Sequence, residues 1–209
     1  MGDFLKREKN KEYTRNKLIE VAMELFQKKE YQKTTIEEIA KLAGISKPTF
    51  FAYFDSKEQL LYAFDLKQIH TFELYMKEQL SPQGDLLLEL REAIVQMAIN
   101  LHTTHLLTQN MMHLVTINEN YKRLLEDTFS IFRKVIKEVV EYGQQHDIIV
   151  MEVGAEDVAK DLSTIYLGTL VNWVITSGQG SLGNQMRSTL DHSLQRISMK
   201  WRNVNEASH

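Results

Sequence analysis

The sequence contains no cysteine, so a disulfide framework, a thiolate metal site and a thiol nucleophile are all excluded. Breakers are scarce too: two prolines and nine glycines in 209 residues leave long stretches uninterrupted. No apolar run approaches the length that crosses a bilayer, and the opening MGDFLKREKNKEYTRNK is too polar for a secretory signal. That opening starts as a myristoylation signal does, but Lys6 stands where Ser or Thr is required. A soluble, cytoplasmic protein with no membrane partner is expected. Charge of one sign is lacking as well, and a net charge of −3 argues against a general polyanion binder.

What is present is helical periodicity. Apolar residues, 43% of the chain, recur at helical spacing nearly throughout, so the expected class is all-α, with enough length for one large or two small domains. Charge is unevenly placed: residues 1–70 carry thirteen Lys/Arg against eleven Asp/Glu, and the remainder twelve against seventeen. Six cations at positions 6, 7, 9, 11, 15 and 17 crowd the front, where a basic arm could meet phosphates.

The densest punctuation lies in TTIEEIAKLAGISKPTFFAYFDSKEQLL, residues 34–61. Before it, Leu18, Val21, Ala22, Leu25 and Phe26 share one face of a first amphipathic helix expected to end near Lys29. Thr34 and Thr35 each precede a glutamate by three residues, Glu37 and Glu38, the spacing of a capping box. Ile36, Ile39, Ala40 and Ala43 make the apolar face of a short second helix, and Gly44 supplies its left-handed stop. The chain restarts at SKPTFF, capped by Ser46 or Lys47, with Pro48 tolerated in the first turn. At about 100° per residue, Phe50, Phe51 and Phe54 gather on one side of this third helix, and Pro48, Thr49, Ala52 and Tyr53 on the other. Ser56 and Gln59 then stand at capping-box spacing for a fourth helix.

A short helix, a glycine turn and a second short helix anchored by aromatics form a helix-turn-helix, which offers its second helix to the DNA major groove. The ordered motif over residues 14–64, with its F-x-S-K-E-x-L entry to the fourth helix, resembles the N-terminal signature of the tetracycline-repressor (TetR) family of bacterial regulators. The resemblance implies a three-helix DNA-binding domain over 1–56, basic arm included, and a helical ligand-binding and dimerisation domain over 57–209, about nine helices in all. It places Thr35 and Lys57 at phosphate-contacting positions, and Lys47, Pro48, Thr49 and Tyr53 on the groove-facing helix. Pro48 stands where the family often has glycine and Tyr53 where it often has histidine, so base preference does not transfer. Lys57 puts a cation at the positive end of a helix dipole, unfavourable unless an anion sits there.

Beyond residue 65 the reading rests on periodicity and family architecture. The fourth helix runs through Phe64, Phe72 and Met76 to SPQGD; Leu125, Phe129, Phe132, Ile136 and Val140 line a later one; Ile148–Val153 is a short connection. The family pairs its last two helices with those of a second subunit. Here Met186, Leu190, Leu194, Ile197 and Trp201 form a stripe on the last, and Tyr166 lies on the nearly all-apolar penultimate one, where Gly168 allows close approach. For a small-molecule effector pocket the candidates are Met97, Leu101, Met111 and Met112, with Phe129, Phe132, Tyr166, Leu170 and Trp173, thioethers and aromatics suited to a lipophilic ligand.

Enzyme chemistry finds little support. His102, His105 and His113 lack carboxylates at matching spacing, and GQGSLGN follows a helix and lacks the P-loop lysine. No cofactor is expected. The reading is a homodimeric regulator of double-stranded DNA at a palindromic operator, a repressor released by a small molecule. An activator or global regulator without a dedicated ligand, or a helical enzyme with a fused helix-turn-helix, are the alternatives.

Overall fold

The computed structural model describes residues 2–80 and 84–198. Among them the elements are α1 (Gly2–Lys28), a single 3-10 turn (Tyr31–Lys33), α2 (Ile36–Ala43), α3 (Lys47–Phe51), α4 (Glu58–Gln79), α5 (Leu86–Leu101), α6 (His105–Ile117), α7 (Glu119–Gln145), α8 (Ala155–Ile175) and α9 (Leu182–Ile197). There is no strand among the described residues, only an isolated bridge between Ile149 and Ser198. The class is all-α, as the periodicity implies. α1 is longer than its apolar face alone suggested. Residues 3–17 continue as helix rather than a loose arm, being rich in Lys, Glu and Arg and free of proline and glycine.

The chain divides into two compact units. One comprises residues up to 66 together with 106–125; the other comprises 67–105 with 126 onward.

In the first unit, Leu18, Ala22 and Phe26 of α1 close over Ile39 of α2, Phe50 of α3 and Leu60 of α4, all essentially without solvent contact. Leu107, Met111 and Leu114 of α6, with Tyr121 of α7, complete this core. Asn110 of α6 donates its side-chain amide to the carbonyls of Phe26 and Lys29, satisfying groups that the end of α1 leaves open. α6 is therefore part of the framework that holds the helix-turn-helix.

In the second unit, α9 packs on α5 and α8. Leu86, Leu90, Ile94 and Ala98 meet Met186, Leu190, Leu194 and Ile197 in a common buried layer. Ion pairs tie the same helices at the rim: Arg91 to Asp191 at 2.6 Å and Arg187 to Glu92 at 3.0 Å. A chain of rings fills the other side, with Phe72 to Phe132 at 5.4 Å, Phe132 to Tyr166 at 5.5 Å and His102 to Tyr166 at 6.2 Å. Gly143 permits Ile149 to close this core, since a β-carbon there would lie 2.7 Å from the Ile149 side chain.

Candidate nucleic-acid interface

Thr35 caps α2 as its spacing implies: its hydroxyl accepts the Glu38 N–H at 3.2 Å. The Thr35 side chain is exposed, and its own hydroxyl proton remains available to a phosphate oxygen. Gly44 ends α2 at φ 77°, the left-handed conformation that closes a helix without the steric penalty of a β-carbon. Ser46 then caps α3 by accepting the Thr49 N–H, and its hydroxyl also bonds the Thr49 hydroxyl at 2.8 Å. Two capped helices, joined by a three-residue turn, are thus held at a fixed angle by local bonds.

α3 has only five residues, so its orientation depends on its anchors. Phe50 and Phe54 are those anchors. Phe51 is not: it is 46% exposed, with its ring edge against Phe50 at 5.5 Å. Phe51 lies about 100° round the helix from Phe50, at the margin of the apolar side whose centre Phe50 and Phe54 occupy. The helix ends at Phe51, so Tyr53 lies in the turn after α3, half-buried against the core of the unit. Lys47 and Pro48 are exposed, and Thr49 is partly so. The fourth helix starts at Glu58, and the reciprocal cap is made by Asp55 and Gln59, not by Ser56.

The cations around this corner have internal partners. Lys47 donates to the Glu37 carboxylate, and Lys29 to that of Glu38. Both carboxyls are held below the usual range, mainly by the hydrogen bond from their lysine. Lys57 turns inward, donating to the carbonyls of Tyr31 at 3.0 Å and Thr34 at 2.6 Å, and burial lowers its pKa. Arg15 lies 5.1 Å from the Phe54 ring centroid. Sequence spacing predicted none of these pairings, because each joins residues of different elements.

The other predicted residues fall in separate places. Met111 is in the core of the first unit, and Met112 beside it is half-buried. Leu101, Phe132, Tyr166, Leu170 and Trp173 are buried in the second unit, with Phe129 partly so. Met97 lines a cavity of about 270 Å³ between α4 and α5, together with Phe72, Ala93, Gln68, Thr71 and Gln96. Leu190, Leu194 and Ile197 are buried within the chain's own core, and Trp201 lies outside the described residues. The opposite faces of α8 and α9 are open. Ile165, Gly168 and Asn172 face Asn184, Ser188 and Thr189 across a shallow groove of about 620 Å³.

A capped helix-turn-helix on a packed helical framework defines a DNA-binding regulator. Residues 18–64 match the family described as bacterial regulatory proteins, tetR family. Over 203 residues the chain is 23% identical to the probable acrEF/envCD operon repressor of Escherichia coli K12, covering 94% of this chain and 91% of that one. In fold it is similar to Thermus thermophilus FadR, a TetR-family repressor in complex with lauroyl-CoA, with a TM-score of 0.66, 22% identity, and 87% and 93% of the two chains covered. It is also similar to SmeT in complex with triclosan, with a TM-score of 0.70, 17% identity, and 89% and 92% covered. Residues 18–64 thus match the TetR-family DNA-binding domain, and the chain as a whole has the fold of these regulators. Its relatives are regulators, not enzymes.

Proposed function

We propose that the protein is a homodimeric, cytoplasmic repressor that binds a palindromic operator and is released by a small lipophilic ligand. The observation that carries the reading is the corner formed by Thr35, Gly44 and Ser46, which presents Lys47, Pro48 and Thr49 outward on one short helix. In this reading those residues and Tyr53 face the major groove, while Thr35 and Lys57 meet phosphates.

A two-fold dimer would set two such helices about one helical turn apart, roughly 34–36 Å. The face of α8 and α9 that bears the shallow groove supports the dimer. Beside the groove, which Gly168 lines, Val171 and Ile175 are large apolar side chains of α8 left 43% and 74% exposed. Ligand binding is supported by the mixed lining of the α4–α5 cavity, where Phe72 and Met97 are surrounded by amide and hydroxyl groups. The acyl-CoA and triclosan complexes of the fold neighbours favour an amphipathic or hydrophobic effector. A duplex selected from random sequence by the purified protein tests the whole reading. An inverted repeat bound by two protomers is the expected result, and an asymmetric site bound by a single protomer would overturn it.

A further inference from the structure

Two adjacent carboxylates open α2, and each holds a lysine. Glu38 holds Lys29, whose backbone carbonyl is itself bonded by Asn110, and both side chains of that pair are about one-third exposed (31% and 36%). The Glu38 carboxyl is further held down by the Thr35 backbone N–H, after the larger effect of Lys29. This pair belongs to the capping structure that joins the end of α1 to the start of α2. Glu37 holds Lys47, the first residue of α3, with the two side chains 58% and 49% exposed. Glu37 has a lesser tie of this kind, to its own backbone N–H, which lowers its carboxyl after the larger effect of Lys47, and its carboxylate faces solvent beside the outward face of α3.

We propose that Glu37 is an internal competitor for the DNA phosphate, occupying Lys47 until a duplex displaces it. This rests on the reading of Lys47 as a DNA-facing cation. Sharing the ammonium would bring a carboxylate and a phosphate close together, and their mutual repulsion sets the phosphate in competition with Glu37 for Lys47. The freed carboxylate then lies beside a polyanion and retains a cation that would otherwise have been released. Binding becomes weaker and less steeply dependent on salt than the number of lysines implies. The effect is felt on any duplex. It matters most for non-operator DNA, where electrostatics supplies essentially all of the affinity, whereas an operator also offers base contacts. Glu37 would thereby keep the regulator off bulk DNA.

The test uses the full chain and a mixed-sequence duplex, with binding followed by fluorescence anisotropy across a salt titration. Glu37→Gln is expected to bind about two- to fivefold more tightly at low salt, the scale of an exposed ion pair. Its log–log salt slope is expected to steepen by up to about 0.9. Lys47→Gln should weaken binding, and adding Glu37→Gln to it should bring a clearly smaller gain than in the parent, since only the carboxylate's repulsion of the duplex is then left to remove. Glu38→Gln, as a control, should lower thermal stability without steepening the slope. An equal gain from Glu37→Gln with and without Lys47 would show a diffuse field rather than a displaced pair, and would overturn the proposal. So would an unchanged affinity for Glu37→Gln where Lys47→Gln does weaken binding. If Lys47→Gln itself has no effect, the DNA-facing reading of Lys47 fails, and the proposal with it.

Discussion

The Lys57 ammonium is anchored to the carbonyl oxygen of Thr34 at 2.6 Å and lies 4.3 Å from the ring centroid of Tyr31. It also takes the Tyr31 carbonyl at 3.0 Å, so one lysine binds both ends of the segment that leads into α2. A cation at the start of α4 is electrostatically unfavourable toward its own helix, and these carbonyls are what compensate it. Lys57 therefore has a structural role that precedes any contact with DNA.

Lys57→Ala should then do two things. Loss of charge-assisted bonds to two carbonyls should lower stability by about 1–2 kcal/mol, read from urea denaturation. If the same ammonium also meets a phosphate, the salt slope of duplex binding should fall by up to about 0.9. Lys57→Met, which keeps the stem over Tyr31, should recover part of the stability and none of the slope. Unchanged stability in the alanine variant would deny the structural role.

Much of this corner was legible in the sequence because its signals are local. Thr35, Gly44 and Ser46 act within three or four residues of themselves, and they perform the roles their spacing implied. Phe51 shows the limit of a helical angle, which groups it with Phe50 and Phe54 but does not tell the centre of the apolar side from its margin, and it is left 46% exposed. The pairs Glu37–Lys47 and Lys57–Thr34 depend on how elements cross, which periodicity does not encode. The Leu190–Leu194–Ile197 stripe shows the same limit. A stripe identifies the face that is buried, not what buries it, and here α5 and α8 do so within the chain. The place of α6 in the first unit rests on Asn110 and Met111, which carry no motif.

Two buried ionisable groups predict an unusual pH profile. Asp65 of α4 is fully buried with one carboxylate oxygen unpartnered, and burial raises its pKa to about 8. His102, buried at the end of α5, is pushed down to about 3 by burial. An unfolded aspartate titrates near about 3.9 and a histidine near about 6.5. Between pH 4 and 8 the folded chain keeps the Asp65 proton that the unfolded chain loses, so this group makes stability fall as pH rises. Between pH 3 and 6.5 the unfolded chain gains a proton at His102 that the folded chain refuses, so this group makes stability rise with pH. The slopes oppose each other from pH 4 to 6.5. Above that, Asp65 acts alone, at about 1.4 kcal/mol per pH unit. Asp65→Asn should therefore raise stability at pH 8 by a few kcal/mol and flatten the profile above pH 6.5. His102→Gln should leave a profile that declines from pH 4 onward. Urea denaturation at a series of pH values, with a probe in each unit, checks both; a parent profile that rises from pH 6.5 to 8 would contradict the Asp65 assignment.

The cavity between α4 and α5 gives a test of ligand control. Ala93→Leu should fill space beside Phe72 and Met97. A hydrophobic ligand that stabilises the parent thermally from this cavity should no longer do so in the variant, while ligand-free binding to the selected duplex stays within about twofold of the parent. Retained stabilisation would place the ligand elsewhere, among the buried rings of Phe132 and Tyr166.

The last prediction separates folding from assembly. Leu190 and Leu194 are 0% and 5% exposed, so a glutamate at either would be buried in the chain's own core and should unfold the second unit. Such a variant says nothing about a dimer. Val171 and Ile175 instead lie on the open face of α8, on the same side as Gly168 and Asn172. Val171→Glu with Ile175→Glu should leave the helical circular dichroism signal and the urea midpoint near those of the parent. If that face meets its symmetry mate, the four introduced carboxylates oppose one another across the two-fold axis, and sedimentation should show monomers at concentrations where the parent is dimeric. Binding to an inverted-repeat duplex should then weaken far more than binding to a single half-site, because the second half-site is held only through the dimer. A folded double variant that still sediments as a dimer would move the interface off this face of α8.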